Sequence, residues 1–310
     1  MKLDSQTEVI LEQLKKAPSY KILTPVQLRD SAKKKGALND IEMVGVVENI
    51  SIDGPYGKIP LRIYKPEGNG PFPVFVYFHG GGWVLGSVDG KYDMICRKIV
   101  NSAHCAIVSV DYHLAPEYKF PTAVEDAYTA TQWVSENAEH LGFDKLRLII
   151  GGDSAGANLA AVVTHMAKEK TTPIISYQVL LYPTTDFNMR TESHKQLADG
   201  YYITHDFLLW FHEHYLNSPE EKLNPLVSPI LNKDFTGLPP ALIITAQFDP
   251  LRDEGKDYAD RLKESSVPVI YSCYEGTIHG FVGYANVLDK GEQAIQEIAG
   301  ALNDFFASVK

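Results

Sequence analysis

Ser154 stands in Gly152-Asp153-Ser154-Ala155-Gly156, after the apolar run Leu146-Arg147-Leu148-Ile149-Ile150 and before the small-residue stretch Asn158-Leu159-Ala160-Ala161-Val162-Val163. A serine between two glycines, where a buried strand hands over to a helix, reads as a nucleophile elbow. The turn must be sharp, so the flanking positions lack bulk and the hydroxyl projects into open space. The helix that follows brings unpaired N–H groups and the positive end of its dipole next to any negative charge forming on a bound ester. By itself the Gly-x-Ser-x-Gly spacing is a weak signal, since a glycine-bounded turn with an idle serine satisfies it too.

A second cluster agrees. His79-Gly80-Gly81-Gly82-Trp83 follows Val74-Phe75-Val76-Tyr77-Phe78, whose apolar, β-branched and aromatic character marks a buried strand. Three consecutive glycines cost backbone entropy on ordering and offer N–H groups that a ligand oxygen can approach without meeting a side chain. An oxyanion site requires such donors. His79 reads as a shaper of this loop rather than as a base. Downstream, Asp249-Pro250-Leu251-Arg252-Asp253-Glu254-Gly255 follows the buried run Leu242-Ile243-Ile244-Thr245-Ala246, with a helix expected from Pro250. Asp249 at that junction is an N-cap candidate as well as a catalytic one. His279 lies in Glu275-Gly276-Thr277-Ile278-His279-Gly280-Phe281, read as a loop beyond the strand Val269–Tyr274. His165, His212 and His214 fall within helical patterns, and His212-x-His214 points its side chains apart on a helix, so no metal site is expected.

These blocks, together with Asp111-Tyr112-His113-Leu114-Ala115-Pro116-Glu117 and Phe120-Pro121, resemble the signature blocks of bacterial hormone-sensitive-lipase-like carboxylesterases, in the family's order across most of the chain. The resemblance implies an α/β-hydrolase fold with a helical cap, and Ser154, Asp249 and His279 as triad. It further implies the N–H groups of Gly81, Gly82 and Ala155 as oxyanion hole. His113 stands where the family usually has arginine, and Ala157 where it often has glycine. Among the clustered carboxylates, Asp253 and Glu254 fall in the first helical turn or beyond, where acids favour the helix dipole. Asp249 lies in the loop past the strand end, on the rim where Ser154 should emerge.

The elements that must position these residues alternate. Residues 44–52 and 59–64 read as a hairpin around Asp53-Gly54-Pro55-Tyr56-Gly57. Strands near 73–79, 105–110, 146–151, 175–181, 240–246 and 268–273 alternate with helices near 89–102, 122–140, 155–169, 251–264 and 287–308. Such alternation predicts an α/β fold with a mostly parallel sheet and helices on both faces. Residues 5–37 read as helical, with Val9, Ile10, Leu11 and Leu14 as an apolar stripe. The expected organisation is residues 1–40 as the N-terminal part of a cap and 41–310 as the catalytic domain, with a cap insertion at about 186–225. In that insertion Thr204 is placed to cap a helix carrying Phe207, Leu208, Trp210, Phe211 and Tyr215. Packing against the N-terminal helices is the plainer explanation of this aromatic density. The functional one is a lid over the acyl chain, with Trp83, Phe207, Trp210 and Phe211 as substrate-contacting candidates.

The 310 residues, 45% of them hydrophobic, suffice for one large core. A formal net charge of −10 argues against nucleic acid or an anionic membrane surface as partner. Cys96, Cys105 and Cys273 are well separated and lack metal or redox spacing, which fits free thiols in a reducing compartment. With an N-terminus that opens on charge, the expected location is cytoplasmic, and the sequence leaves a homodimer open. The resemblance to carboxylesterases implies hydrolysis of short- to medium-chain acyl esters through an acyl-enzyme, and neither cofactor nor metal is expected. Amide or acetyl deacylation would use the same triad. A non-catalytic small-ligand receptor on the same fold is disfavoured by His279 in its glycine-flanked setting, and an aspartate-nucleophile hydrolase by a serine at the elbow.

Overall fold

The computed structural model describes residues 2–17, 19–35 and 41–309. Eight strands form one sheet: β1 (Val46–Gly54), β2 (Gly57–Lys65), β3 (Phe72–Phe78), β4 (Ala106–Val110), β5 (Phe143–Asp153), β6 (Tyr177–Leu181), β7 (Ala241–Phe248) and β8 (Val269–Ile278). Their spatial order is β1-β2-β4-β3-β5-β6-β7-β8. The β1–β2 hairpin closes on the Gly54–Gly57 pair, and β2 meets β4 antiparallel. Every pairing from β4 through β8 is parallel. Strands β3, β4 and β6 are buried at every position, as expected where helices cover both faces.

Alternate side chains of β3 feed two cores. Val74, Val76 and Phe78 join one with Val124, Leu159 and Tyr258, which lie on α4 (Thr122–Glu136), α6 (Ala155–Lys170) and α9 (Arg252–Glu264). Phe75 and Tyr77 join the other with Ile95, Ile99, Ile295 and Ile298, which lie on α3 (Lys91–Ala103) and α10 (Asp289–Ser308). The remaining helices are α1 (Ser5–Leu14), α2 (Pro25–Lys35), α5 (Ala138–Leu141), α7 (Glu192–Gln196) and α8 (His205–Tyr215).

The structure departs from the sequence reading in several places. The helical segment expected over 5–37 consists of two helices, α1 and α2, and α2 starts on Pro25, which suits a first helical position because its missing N–H would be unpaired there anyway. Residues 18, 36 and 37 lie outside the described residues. Val9 is 60% exposed, and the inward stripe of α1 is Thr7, Ile10 and Leu11. The helix expected over 122–140 breaks at Asn137, whose side-chain amide donates to the Trp133 carbonyl at 2.9 Å. Strand β8 continues to Ile278 where a loop was expected from Glu275, because it stays paired with β7 across an irregularity between Ala246 and Phe248.

Because β3, β5, β7 and β8 run in one direction, their C-terminal ends emerge along one rim, where open α/β sheets place ligands. The glycine loop, Ser154, Asp249 and His279 each follow one of these ends. At the rim the backbones almost touch. A Cβ on Gly152 or Gly156 would run into the Phe78 carbonyl oxygen, which is backbone and cannot swing away. Gly156→Ala is therefore expected to destabilise the protein by about 3 kcal/mol, the upper end for overpacking. The control is Gly300→Ala on α10, where nothing lies within 4 Å of the added Cβ. That change should stabilise by about 0.5–1 kcal/mol, both values being read from urea unfolding.

Candidate active site

Ser154 is held at φ 55° and ψ −118°, a conformation rarely taken by residues with a side chain. Its N–H donates to the Leu181 carbonyl at 2.8 Å, and α6 begins at the next residue. Asp153, at the end of β5, is 3% exposed. Its Oδ1 accepts from the Tyr77 hydroxyl at 2.9 Å and from the Gly80 N–H at 2.8 Å, so the elbow grips the first glycine of the loop. On the loop's other side, the Tyr112 hydroxyl donates to the His79 carbonyl at 2.8 Å, and the buried His79 ring stacks on Tyr112 with centroids 4.4 Å apart. The loop then runs through positive φ at Gly81, Gly82 and Trp83. Among the described residues no hydrogen bond engages the N–H groups of Gly81, Gly82 or Ala155. Unpaired donors are what an incoming oxyanion needs.

Ser154 Oγ lies 2.9 Å from His279 Nε2, and His279 Nδ1 lies 2.7 Å from Asp249 Oδ2. Asp249 is fully buried and His279 is 5% exposed. The Tyr182 ring meets the imidazole edge-on, with centroids 4.9 Å apart, and walls it from one side. The two carboxylate oxygens of Asp249 divide the roles that the sequence left in competition. Oδ1 accepts the Leu251 N–H at 2.9 Å, as a cap would, while Oδ2 faces the histidine. The helix itself starts at Arg252, two residues later than expected from Pro250.

The neighbouring acids are committed elsewhere. Asp253 bonds the Arg252 guanidinium at 2.7 Å and the Ser193 N–H at 2.8 Å. Burial alone would raise its carboxyl, but these contacts outweigh burial and hold it below the ordinary value. Glu254 is buried against His194 at 2.6 Å. Burial alone would push the His194 imidazole down; the hydrogen bond and charge of Glu254 outweigh it and leave the imidazole above its ordinary value. His165 and His212 behave oppositely. Burial lowers them to about 4 and about 3, so both stay neutral in the fold. His212 stacks on Phe187, whereas His214 Nδ1 lies 2.8 Å from the Trp210 carbonyl oxygen one helical turn away.

Over the loop sits an aromatic layer. Thr204 caps α8 by accepting the Phe207 N–H at 3.1 Å. A Cβ on Gly82 would collide with the Phe211 ring, so that ring rests directly on the loop backbone. Phe207 lies 4.4 Å from Phe211, and Tyr20 stacks on Phe207 at 4.3 Å. Trp210 is half-buried, edge-on to Phe211 at 5.3 Å. Trp83, by contrast, is 2% exposed, with its ring stacked on Tyr215 at 4.5 Å and against Phe187 at 5.0 Å. Its positive φ turns the indole inward, and its faces are taken by packing.

The sequence reading passed over Asp153, Tyr20 and Asn158. Asn158 Nδ2 donates to the carbonyls of Thr184 at 3.0 Å and Val227 at 2.8 Å, tying both ends of the insertion to α6. The available signal was an acid or amide inside a stretch otherwise buried, since such a group must find partners. Support for the Glu117 segment comes from α2: Arg29 pairs with both carboxylate oxygens of Glu117 at 3.0 and 2.8 Å, and its Nε donates to the Val84 carbonyl at 2.7 Å. His113 is engaged separately by Asp126 at 2.6 Å.

A family model for the α/β-hydrolase fold matches residues 75–283. The chain is 40% identical over 271 residues to the carboxylic ester hydrolase LipN of Mycobacterium tuberculosis, spanning 85% of this chain and 71% of that protein. It is 34% identical over 248 residues to an ethyl acetate hydrolase of Pseudomonas putida, spanning 79% and 78% of the two chains. Among solved structures, a hyperthermophilic esterase from the archaeon Pyrobaculum calidifontis superposes with a TM-score of 0.93 at 40% identity, covering 98% of this chain and 99% of that one.

The seat of Phe211 on Gly82 can be tested without substrate. Gly82→Ala forces a methyl into the ring at φ 61° and should cost about 1–3 kcal/mol. Combined with Phe211→Ala, it should cost less than the sum of the single changes by about 1 kcal/mol, measured in a double-mutant cycle by urea unfolding. Additivity within about 0.5 kcal/mol would place the ring elsewhere.

Proposed function

The chain belongs to the hormone-sensitive-lipase-like α/β hydrolases and is a carboxylic ester hydrolase, and we propose that it works through Ser154, His279 and Asp249 as a catalytic triad. The supporting observation is the unbroken hydrogen-bonded chain from Asp249 through His279 to the Ser154 hydroxyl. In this reading His279 Nε2 takes the hydroxyl proton as Ser154 attacks the ester carbonyl. Asp249 holds the tautomer with the proton on Nδ1 and stabilises the imidazolium that forms. The N–H groups of Gly81, Gly82 and Ala155 receive the tetrahedral oxyanion, and the dipole of α6 adds to their field. His279 then protonates the leaving alcohol, and water activated by the same imidazole releases the acid.

The proposed cap consists of residues 1–40 and the insertion at about 186–225, of which 1, 18 and 36–40 lie outside the described residues. The contact of Tyr20 with Phe207 and the pairing of Lys21 with Asp206 at 3.0 Å support treating the two segments as one roof. A roof resting on Gly82 leaves limited depth for an acyl chain, and the similarity to an ethyl acetate hydrolase points the same way. Short- to medium-chain acyl esters are therefore the proposed substrates, with Phe207, Trp210 and Phe211 contacting them. A cytoplasmic location is proposed on the strength of three free cysteines. Among the described residues no helix is long and apolar enough to cross a membrane.

Ser154→Ala should abolish hydrolysis of p-nitrophenyl acetate while leaving the circular dichroism spectrum unchanged, and an organophosphate should label Ser154. A label mapped to another serine would reassign the nucleophile. Asp249→Asn keeps the shape but lets the imidazole adopt the wrong tautomer, a change worth roughly 10⁴-fold in kcat for a serine-protease triad. Several orders of magnitude are expected here, with Asp253→Asn lowering mainly the melting temperature.

A chain-length series tests the roof. Phe211→Ala and Trp210→Ala should shift kcat/KM toward longer p-nitrophenyl esters, since apolar contacts discriminate by ~1–3 kcal/mol per methylene-scale change. A lower melting temperature with the wild-type selectivity profile would make both residues packing only.

A further inference from the structure

The insertion between β6 and β7 meets the loop carrying Asp249 along a buried polar seam that the triad does not use. From the insertion come the N–H groups of Thr185 and Asp186 and the side chains of Ser193 and His194, on the first turn of α7. From the other side come Pro250, Asp253 and Glu254. Glu254 Oε1 accepts the Thr185 N–H at 2.6 Å and the Asp186 N–H at 3.3 Å, and Oε2 lies 2.6 Å from His194 Nε2. Ser193 Oγ donates to the carbonyl of Pro250 at 2.7 Å, the residue next to Asp249. The Thr185 hydroxyl donates back to the Glu254 carbonyl at 2.8 Å, and Leu251 is buried against Ile203 and Leu208 of the insertion.

His194 is 3% exposed and Glu254 1%. A buried carboxylate is tolerated only while its donors stay in place. Removing His194 deprives Glu254 Oε2 of its imidazole partner, at the far end of the short segment Asp249–Glu254. That segment sets where Asp249 Oδ2 sits relative to His279 Nδ1, and misplacements near 1 Å at such contacts cost about 10²-fold in rate. We infer that His194, together with Ser193, is a positioning residue for the triad acid, so that α7 of the insertion sets kcat and not only substrate binding. The inference rests on the reading of Asp249, His279 and Ser154 as the triad.

The test uses the full chain with p-nitrophenyl acetate and the variants His194→Ala, His194→Gln, Ser193→Ala and Asp249→Asn, each checked by thermal melting to be folded at the assay temperature. His194→Ala should lower kcat by about 10–100-fold with KM within about twofold, as expected when the triad acid rather than the substrate contacts is displaced. His194→Gln, which retains an N–H that can reach Glu254, should recover most of that loss. Ser193→Ala should lower kcat several-fold. A folded His194→Ala whose kcat is within twofold of the unsubstituted protein, or whose defect lies wholly in KM, overturns the inference. Should His194→Ala fail to fold, Ser193→Ala decides alone, and an unchanged kcat overturns it. Asp249→Asn separates the two levels. If it retains normal kcat, the triad reading falls and takes this inference with it; if it is inactive while the His194 and Ser193 variants turn over normally, only the positioning role falls.

Discussion

No side chain fits between the Phe78 carbonyl and the backbone at Gly152 and Gly156, and the site is built around that approach. Because the end of β5 and the start of α6 press against the end of β3, Asp153 comes within reach of the Gly80 N–H. A Cβ on Gly80 would in turn collide with the Asp153 carboxylate. The serine between the two glycines is forced to positive φ, a strain of about 1–3 kcal/mol that only a well-packed surrounding can sustain. The hydroxyl is thereby aimed away from the sheet, toward the strand end that carries His279. One backbone contact thus orients the proposed nucleophile and, through Asp153, the first glycine of the loop.

Four acids near the rim illustrate how environment assigns roles to one functional group. Asp153 has two neutral donors and ties strand to loop. Asp253 is exposed enough to keep an arginine and secures α7. Glu254 has lost solvent altogether and is matched by two N–H groups and an imidazole. Asp249 alone splits its oxygens between a backbone donor and the imidazole next to Ser154. A carboxylate held by a backbone N–H on one oxygen cannot rotate, so the other oxygen is presented to the histidine in one orientation.

Much of this was legible in the sequence, for identifiable reasons. Strands β3, β4, β6 and β7 and the C-terminal half of β5 are covered on both faces, so they read as apolar runs bounded by turn residues, and motifs placed at their ends fell where the topology puts them. Strand β8 did not read to its end because Glu275 and Gly276 belong to no apolar pattern; their strand character comes from pairing with β7. Trp83 looked like a ligand contact beside the glycines, yet its positive φ, which no local pattern foretells, sends the ring into the core. The helical segment 5–37 was read without its internal boundary, which Pro25 marks as the first residue of α2. Contacts between segments remote in sequence, such as Tyr20 with Phe207 or His194 with Glu254, leave no local trace.

The roof and the loop beneath it share one residue. Gly82 must lack a side chain for Phe211 to lie on it, and the same bare backbone leaves its N–H open to a ligand oxygen. From Gly82 outward the layers are Phe211, Phe207 and Tyr20, the last supplied by the N-terminal segment. That segment is in turn fastened by Arg29 to the Val84 carbonyl, two residues beyond Gly82, and to Glu117, whose carboxyl the guanidinium holds below its ordinary value. The roof is therefore anchored to the loop it covers. In the proposed reading, a displacement that opens it for a larger acyl group acts on the backbone around Gly82, which would couple substrate size to oxyanion binding.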